Sequence, residues 1–222
     1  RYVVSKGLDE NKDQSYVLWG VSQECLSRTI FPIGKYHKKD IRKMALDRGY
    51  KQLAEKSESY EICFIPDNDY RGFLKRRVSG LEQKVAGGNF LTTDGQVVGT
   101  HDGYPFYTIG QRKLGVSLGS QPTYVIGINA EDNTVTVGTK KDLERQEMYV
   151  RDVNYLKYSK IADGMECLVK IRYKHKGEIA TISNYQGNLK ILFHKEVIGI
   201  TPGQSAAIYE GNDLIAGGFI MK

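Results

Sequence analysis

The sequence predicts an α/β segment that runs into a mostly β chain. Three parts are expected: the end of an α/β domain over residues 1–65, a small β-rich domain over 66–145, and a β-barrel over 146–222. Three observations predict this. Two amphipathic helical patterns precede the apolar run "EICFI". Short alternating stretches then flank two hairpin signals, Asp94-Gly95 and Asp132-Asn133. Beyond residue 146, short apolar stretches recur with glycine-centred turns between them, the texture of a small barrel without free edges.

In order along the chain, "KDQSYVLWGVSQECLSRTI" (12–30) predicts a helix with Val17, Leu18, Val21, Cys25 and Leu26 on one face, ended by Pro32 and Gly34. "KKDIRKMALDRGY" predicts a second helix with Ile41, Met44, Ala45 and Leu46 as its stripe and Gly49 as its C-terminal cap. A strand is expected around "EICFI". Helix, helix, strand is the order found at the edge of an α/β domain, and the chain opens without Met as the middle of a longer protein would. "DYRGFLKRRV" predicts a short basic helix. The barrel strands are expected at "MYVRDVNYL", "MECLVKIRY", "EIATISNY", "LKILFH", "SAAIYEG" and "LIAGGFI". Turns fall at Gly164, Gly177, Gly187-Asn188, Pro202-Gly203 and Gly211-Asn212.

Composition narrows the function classes. The chain has 222 residues, 40% of them hydrophobic, but no apolar run of about 18 residues, so no membrane span is expected. Three cysteines (Cys25, Cys63, Cys167) lie far apart and do not suit a disulfide framework, which points to a reducing, cytoplasmic setting. The four histidines show no metal-ligand spacing, so no metal is expected. The net charge is +6, and Lys and Arg cluster in "KYHKKDIRK", "LKRRV", "GQRK" and "KIRYKHK" among tyrosines. Such clusters suit a phosphate-rich partner such as RNA and equally suit a solvated basic surface.

Five stretches carry candidate chemistry. Cys63 sits in "YEICFIPDNDY". A lone cysteine in an apolar run is commonly a packed core thiol. Its place at a strand end before Pro66 is also where ligand chemistry collects in α/β domains. Glu58 and Glu61 would raise its pKa. In "KDQSY", Asp13 or Ser15 can cap a helix, while Lys12 and Gln14 are not needed for capping and could hold a phosphate and a base edge. In "HDGYPFYTIGQRK", alternation puts Tyr104, Phe106 and Thr108 on one face and Tyr107 and Ile109 on the other. One face is core, and Arg112 and Lys113 are the candidates for RNA backbone contact. In "KIRYKHKG", strand alternation would place Ile171 and Tyr173 on one face and Lys170, Arg172 and Lys174 on the other. Gln204 follows the turn in "TPGQ". No G-x-x-x-x-G-K-[ST] occurs, and no G-x-G-x-x-G opens a helix after a strand, so nothing in the chain visibly binds ATP.

Taken in order, "KDQSYVLWGVSQE", "FPIGKYHKKDIRKMA", "EICFIPDNDYRGFL", "HDGYPFYTIGQRK", "IRY" and "TPGQ" resemble the tRNA-specific 2-thiouridylases of the MnmA type over essentially the whole chain. The resemblance implies that the α/β part ends an adenylating domain. Its ATP site, an S-G-G-x-D-S pyrophosphate loop, and a first catalytic cysteine would lie outside these 222 residues. It implies sulfur transfer to the wobble uridine of tRNA, with Cys63 as the persulfide-bearing cysteine. It also implies tRNA contacts at Lys12, Asp13, Gln14, Arg172, Tyr173 and Gln204, and a sulfur-donor protein as partner. Two departures stand out: Glu58-Ser59 where the family usually has Asp-Ser, and Leu114-Gly115 where Gly-Leu-Gly commonly follows "GQRK". The resemblance gives Cys25 no role, and Cys167 is expected in the core. The rival readings are an RNA-binding module without chemistry and a stand-alone persulfide carrier.

Overall fold

A computed structural model describes residues 1–56, 65 and 67–221. The chain divides into two compact units, residues 1–56 with 145–222, and residues 57–144. Both are mostly β with few helices.

The first 56 residues form β1 (Val4–Ser5), a 3-10 helix (Ser15–Gly20), α1 (Gln23–Ser27), α2 (Lys38–Asp47) and α3 (Lys51–Glu55). The single helix expected over 12–30 is therefore two short pieces. Gly20 ends the first, and the Ser22 hydroxyl starts the second by accepting from the Cys25 amide at 3.2 Å. The buried residues are Tyr16, Trp19 and Leu26, whereas Val17 and Cys25 are exposed. A 3-10 turn repeats every three residues, which breaks the 3.6-residue stripe that the apolar pattern implied. α2 matches its expected span, and Gly49 follows it with φ +82°. Its apolar stripe is only partly covered, and Leu46 is exposed.

The second unit holds α4 (Tyr70–Arg77), α5 (Leu81–Val85), β2 (Gly88–Leu91), β3 (Val97–His101), β4 (Tyr124–Asn129) and β5 (Thr134–Gly138). Asp69 caps α4 by accepting from the Gly72 amide at 2.8 Å. Both expected hairpins form, β2–β3 and β4–β5, with Gly95 and Asn133 left-handed in their turns. A parallel β2–β5 pairing joins them into a sheet ordered β3-β2-β5-β4 around Phe90, Val125, Val135 and Val137. "YPF" is a 3-10 turn at Tyr104–Phe106 and not part of an alternating strand, so Tyr104 and Tyr107 both pack against this one core.

The barrel consists of β6 (Glu144–Tyr155), β7 (Met165–Lys170), β8 (Glu178–Tyr185), β9 (Asn188–Ile198), β10 (Ser205–Glu210) and β11 (Asp213–Ile220). The order β11-β10-β7-β8-β9-β6 closes through β6–β11 pairs such as Val150↔Ile220. Val150, Cys167, Val169, Ile182, Ile191, Phe193 and Ile208 fill the interior. Outside it lies a second core of Val4, Tyr16, Trp19, Leu26, Leu156, Ala207, Tyr209 and Leu214, built where the N-terminal segment lies on β10 and β11. β10 is thus buried on both faces, and this is why "SAAIY" reads as a continuous small-apolar run. Among the described residues no helix is long and apolar enough to cross a membrane.

Candidate functional site

β7 ends at Lys170, so the expected strand alternation through Arg172 and Tyr173 does not occur. Residues 171–174 bend and turn, closed by the His175 amide donating to the Arg172 carbonyl at 3.0 Å. Ile171 still fills the barrel end at 1% exposure, but Tyr173 is out at 38%. The turn breaks the pleat, so Tyr173 gains a free ring rather than a core position.

Register brings the other barrel candidate to the same end. Lys170 pairs with Ala207, which puts the residues after β7 beside the start of β10, where Gln204 sits exposed. The Gln204 backbone is held on both sides: its amide donates to Thr201 at 3.1 Å, and its carbonyl accepts from Ile220 at 2.8 Å. A Cβ built on Gly199 would lie 2.9 Å from Arg172 Nη1, so the missing side chain makes room for the guanidinium.

The Lys12–Gln14 loop lies on the same flank. Ser15 at its end hydrogen-bonds the fully buried Tyr209 hydroxyl on β10 at 3.0 Å, and the Tyr16 hydroxyl donates to the Ser205 carbonyl at 2.7 Å. Burial pushes the Tyr209 phenol up to about 12, so it stays a neutral clamp. Asp13 is turned inward. Its Oδ1 accepts from the Gly7 and Ser15 amides, both at 3.1 Å, and its Oδ2 accepts from the Ser15 hydroxyl at 2.9 Å. Lys12 and Gln14 on either side are exposed. Three stretches far apart in sequence, 12–14, 172–173 and 204, thus meet on the β7–β10 flank of one unit.

Sequence reasoning put Lys170 on the basic face of this strand without making it a site residue, and it missed Lys6; both are half-buried on this flank. Lys6 Nζ lies 4.7 Å from the Tyr209 ring centroid. Burial lowers the Lys170 pKa, with Lys6 acting in the same direction and Asp13 opposing. The signal for Lys170 was its place in "KIRYKHK". For Lys6, nothing local distinguished it.

In the second unit Arg112 lies 5.6 Å from the Tyr124 ring centroid, and Lys113 next to it is left-handed at φ +59°. The loop is tied to β4 by Gly110 N to Val125 O at 2.8 Å and Val125 N to Gln111 O at 3.0 Å. Arg71 of α4 contacts the Phe106 and Tyr107 faces and lies 3.5 Å from Asp102. His101 is buried and accepts from the Gly103 amide at Nδ1 (3.0 Å); among the described residues its Nε2 makes no hydrogen bond, and the Asn89 carbonyl lies near the ring.

Cys63, with Glu58 and Glu61, lies outside the described residues. Downstream, Ile65 is buried and accepts from the Asn68 amide at 3.1 Å. Asp67 accepts from the Asp69 amide at 3.2 Å and pairs with Arg76 at 3.1 Å, contacts that hold its carboxyl below the usual range, the amide first. Of the other two cysteines, Cys25 is exposed and Cys167 fills the barrel core, where burial pushes its thiol up to about 11.

Three family models tile the chain: a tRNA methyl transferase HUP domain over residues 1–67, a tRNA methyl transferase PRC-barrel domain over 71–139, and an aminomethyltransferase beta-barrel domain over 145–220. Curated relatives carry a more specific name. The chain is 55% identical over 222 residues to the tRNA-specific 2-thiouridylase MnmA of Cytophaga hutchinsonii, covering 99% of this chain and 60% of that protein. It is 54% identical to the protein of that name from Amoebophilus asiaticus (99% and 59%), and 50% identical to that from Salinibacter ruber (99% and 58%). The chain thus spans about six tenths of the length of the relatives it matches, and the match covers nearly all of this chain. It belongs to the MnmA family of tRNA-specific 2-thiouridylases.

Proposed function

We propose that the protein transfers sulfur to C2 of a uridine in tRNA, and that this chain supplies the sulfur-carrying cysteine and much of the tRNA-binding surface. The observation that carries the reading is identity of 50–55% across the chain to proteins named for that reaction. The convergence of Lys12, Gln14, Arg172, Tyr173 and Gln204 on one barrel flank supports the RNA half. Arg172 and Lys12 supply charge for phosphates, Tyr173 a ring on which a base can stack, and the two amides hydrogen bonds. Asp13 serves by folding the loop, since both its oxygens are already engaged within the protein. Arg112 and Lys113 offer a second, separate backbone contact.

For the chemistry, Cys63 carries a persulfide received from a sulfur-donor protein. The terminal sulfur attacks C2 after the C2 oxygen has been made a leaving group by adenylation from ATP. A second cysteine thiolate then attacks the Cys63 sulfur, forming a disulfide and releasing the thiolated uridine. No phosphate-cradling glycine-loop motif occurs in the sequence, and no residue of this chain is assigned to the nucleotide. A persulfide is more acidic than a thiol, so Glu58 and Glu61 handicap it less than they would a thiolate.

Deleting the full-length gene from its host and analysing tRNA nucleosides tests this reading. The expected result is loss of 2-thiouridine, restored by the gene in trans. Unchanged 2-thiouridine in a host with no second copy would refute it.

A further inference from the structure

Four cationic or proton-accepting groups, Lys6, Lys170, Arg172 and His175, gather on the β7–β10 flank, and among the described residues none of them forms an ion pair. Among the described residues, neither Lys170 nor Arg172 has a carboxylate within ion-pair distance. Asp13, the acid nearest Lys170, has its oxygens filled by the Gly7 and Ser15 amides and the Ser15 hydroxyl. Half-burying Lys170 beside Lys6 costs free energy that Asp13 partly offsets, while Lys6 itself is held by the Gly211 carbonyl at 3.4 Å and by the Tyr209 ring. His175 is folded back over this end by its backbone bond to Arg172, and among the described residues its buried Nδ1 makes no hydrogen bond.

We propose that Lys170, Arg172 and His175, with Lys6 beside them, bind one backbone phosphate of RNA, and that His175 takes up a proton as the phosphate arrives. The proposal rests on the tRNA reading above and names the phosphate site and its proton linkage. In the free protein the neutral form of His175 is favoured: burial lowers its pKa first, Arg172 and Lys170 add to this, and Glu178 on β8 and a hydrogen bond to the Val169 backbone oppose them. A phosphate reverses the sign of the field from the two cations and favours the imidazolium. Binding then consumes a proton, so affinity rises as pH falls through the pKa of the bound state, by at most about tenfold per pH unit. Lys170 contributes counterion release at every pH.

The test is fluorescence anisotropy of a labelled, unmodified tRNA transcript with the full-length protein, between pH 5.5 and 8 and at several salt concentrations. Wild type is expected to tighten as pH falls. His175→Gln should match wild type at pH 8 and lose that tightening. His37, His101 and His194 remain in both proteins and cancel in the comparison. Lys170→Gln should flatten the log–log salt slope by about 0.7 to 0.9, and Lys170→Arg should restore it. If His175→Gln follows wild type at every pH and Lys170→Gln keeps the slope while tRNA still binds, the site is refuted and the tRNA reading stands. If wild type binds no tRNA at the lowest salt, both fall. If inorganic phosphate alone gives the pH-linked binding and tRNA does not, the flank is a free-anion site and the RNA assignment is overturned.

Discussion

At the scale of the residue, His101 shows how one buried ring sets acid tolerance. It packs edge-on against Phe90 at 5.0 Å, and Gly88 makes room for it: a Cβ there would fall 2.1 Å from Cε1. Burial lowers its pKa, outweighing the opposite pull of the Asn89 carbonyl and Asp102. The unfolded chain therefore binds a proton near the ordinary value of 6.5 before the folded protein does. Its contribution to stability is whole above that pH and declines as pH falls through 6.5 toward the folded value, by no more than about 1.4 kcal/mol per pH unit. His101→Asn keeps an acceptor for the Gly103 amide but cannot titrate. Urea midpoints from pH 7.5 to 5 should fall less steeply in that variant than in wild type. Equal slopes would mean that the ring is as easily protonated folded as unfolded.

Elements show which signals were local and which were not. The two hairpins were legible because Asp94-Gly95 and Asp132-Asn133 dictate turn geometry within a few residues. The parallel join of β2 to β5 was not, since it pairs Phe90 with Val135, residues of two different hairpins. Likewise "SYVLWG" carries helical periodicity, but its conformation is decided by what it lies on. Trp19 sits on Gly217 of β11 and packs edge-on to Phe219 at 5.0 Å. A Cβ on Gly217 would come within 2.5 Å of the Trp19 Cβ and 2.8 Å of the Ala206 carbonyl. Gly217→Ala should therefore lift the 3-10 helix off the barrel and cost about 1–3 kcal/mol. The matching signal is a lower thermal midpoint with increased solvent exposure of Trp19, the only tryptophan. An unchanged midpoint and emission would show that the contact is not tight. The candidate RNA residues were named from local motifs and from the resemblance, but their meeting on one flank depends on the Lys170↔Ala207 register and the Ser15–Tyr209 bond, which no local pattern encodes.

At the scale of the whole molecule, a net charge of +6 gives long-range attraction to any polyanion, so specific contacts must be separated from that background. Arg172 and Gln204 do this as a pair. Losing the guanidinium should weaken tRNA binding and make the log–log salt dependence shallower by about 0.7 to 0.9. Losing the amide should weaken binding and leave the slope alone. If Arg172→Ala binds like wild type at every salt, the flank is only solvated surface. In the proposed function the RNA surface serves sulfur chemistry that turns on Cys63. Serine matches a thiol in shape but cannot carry a persulfide. The direct measurement is the 2-thiouridine content of tRNA from a deletion host supplied with the full-length gene bearing Cys63→Ser, beside Cys25→Ser as an exposed-thiol control. Loss of 2-thiouridine with Cys63→Ser, and normal content with Cys25→Ser, is the predicted result; normal content with Cys63→Ser would contradict the account.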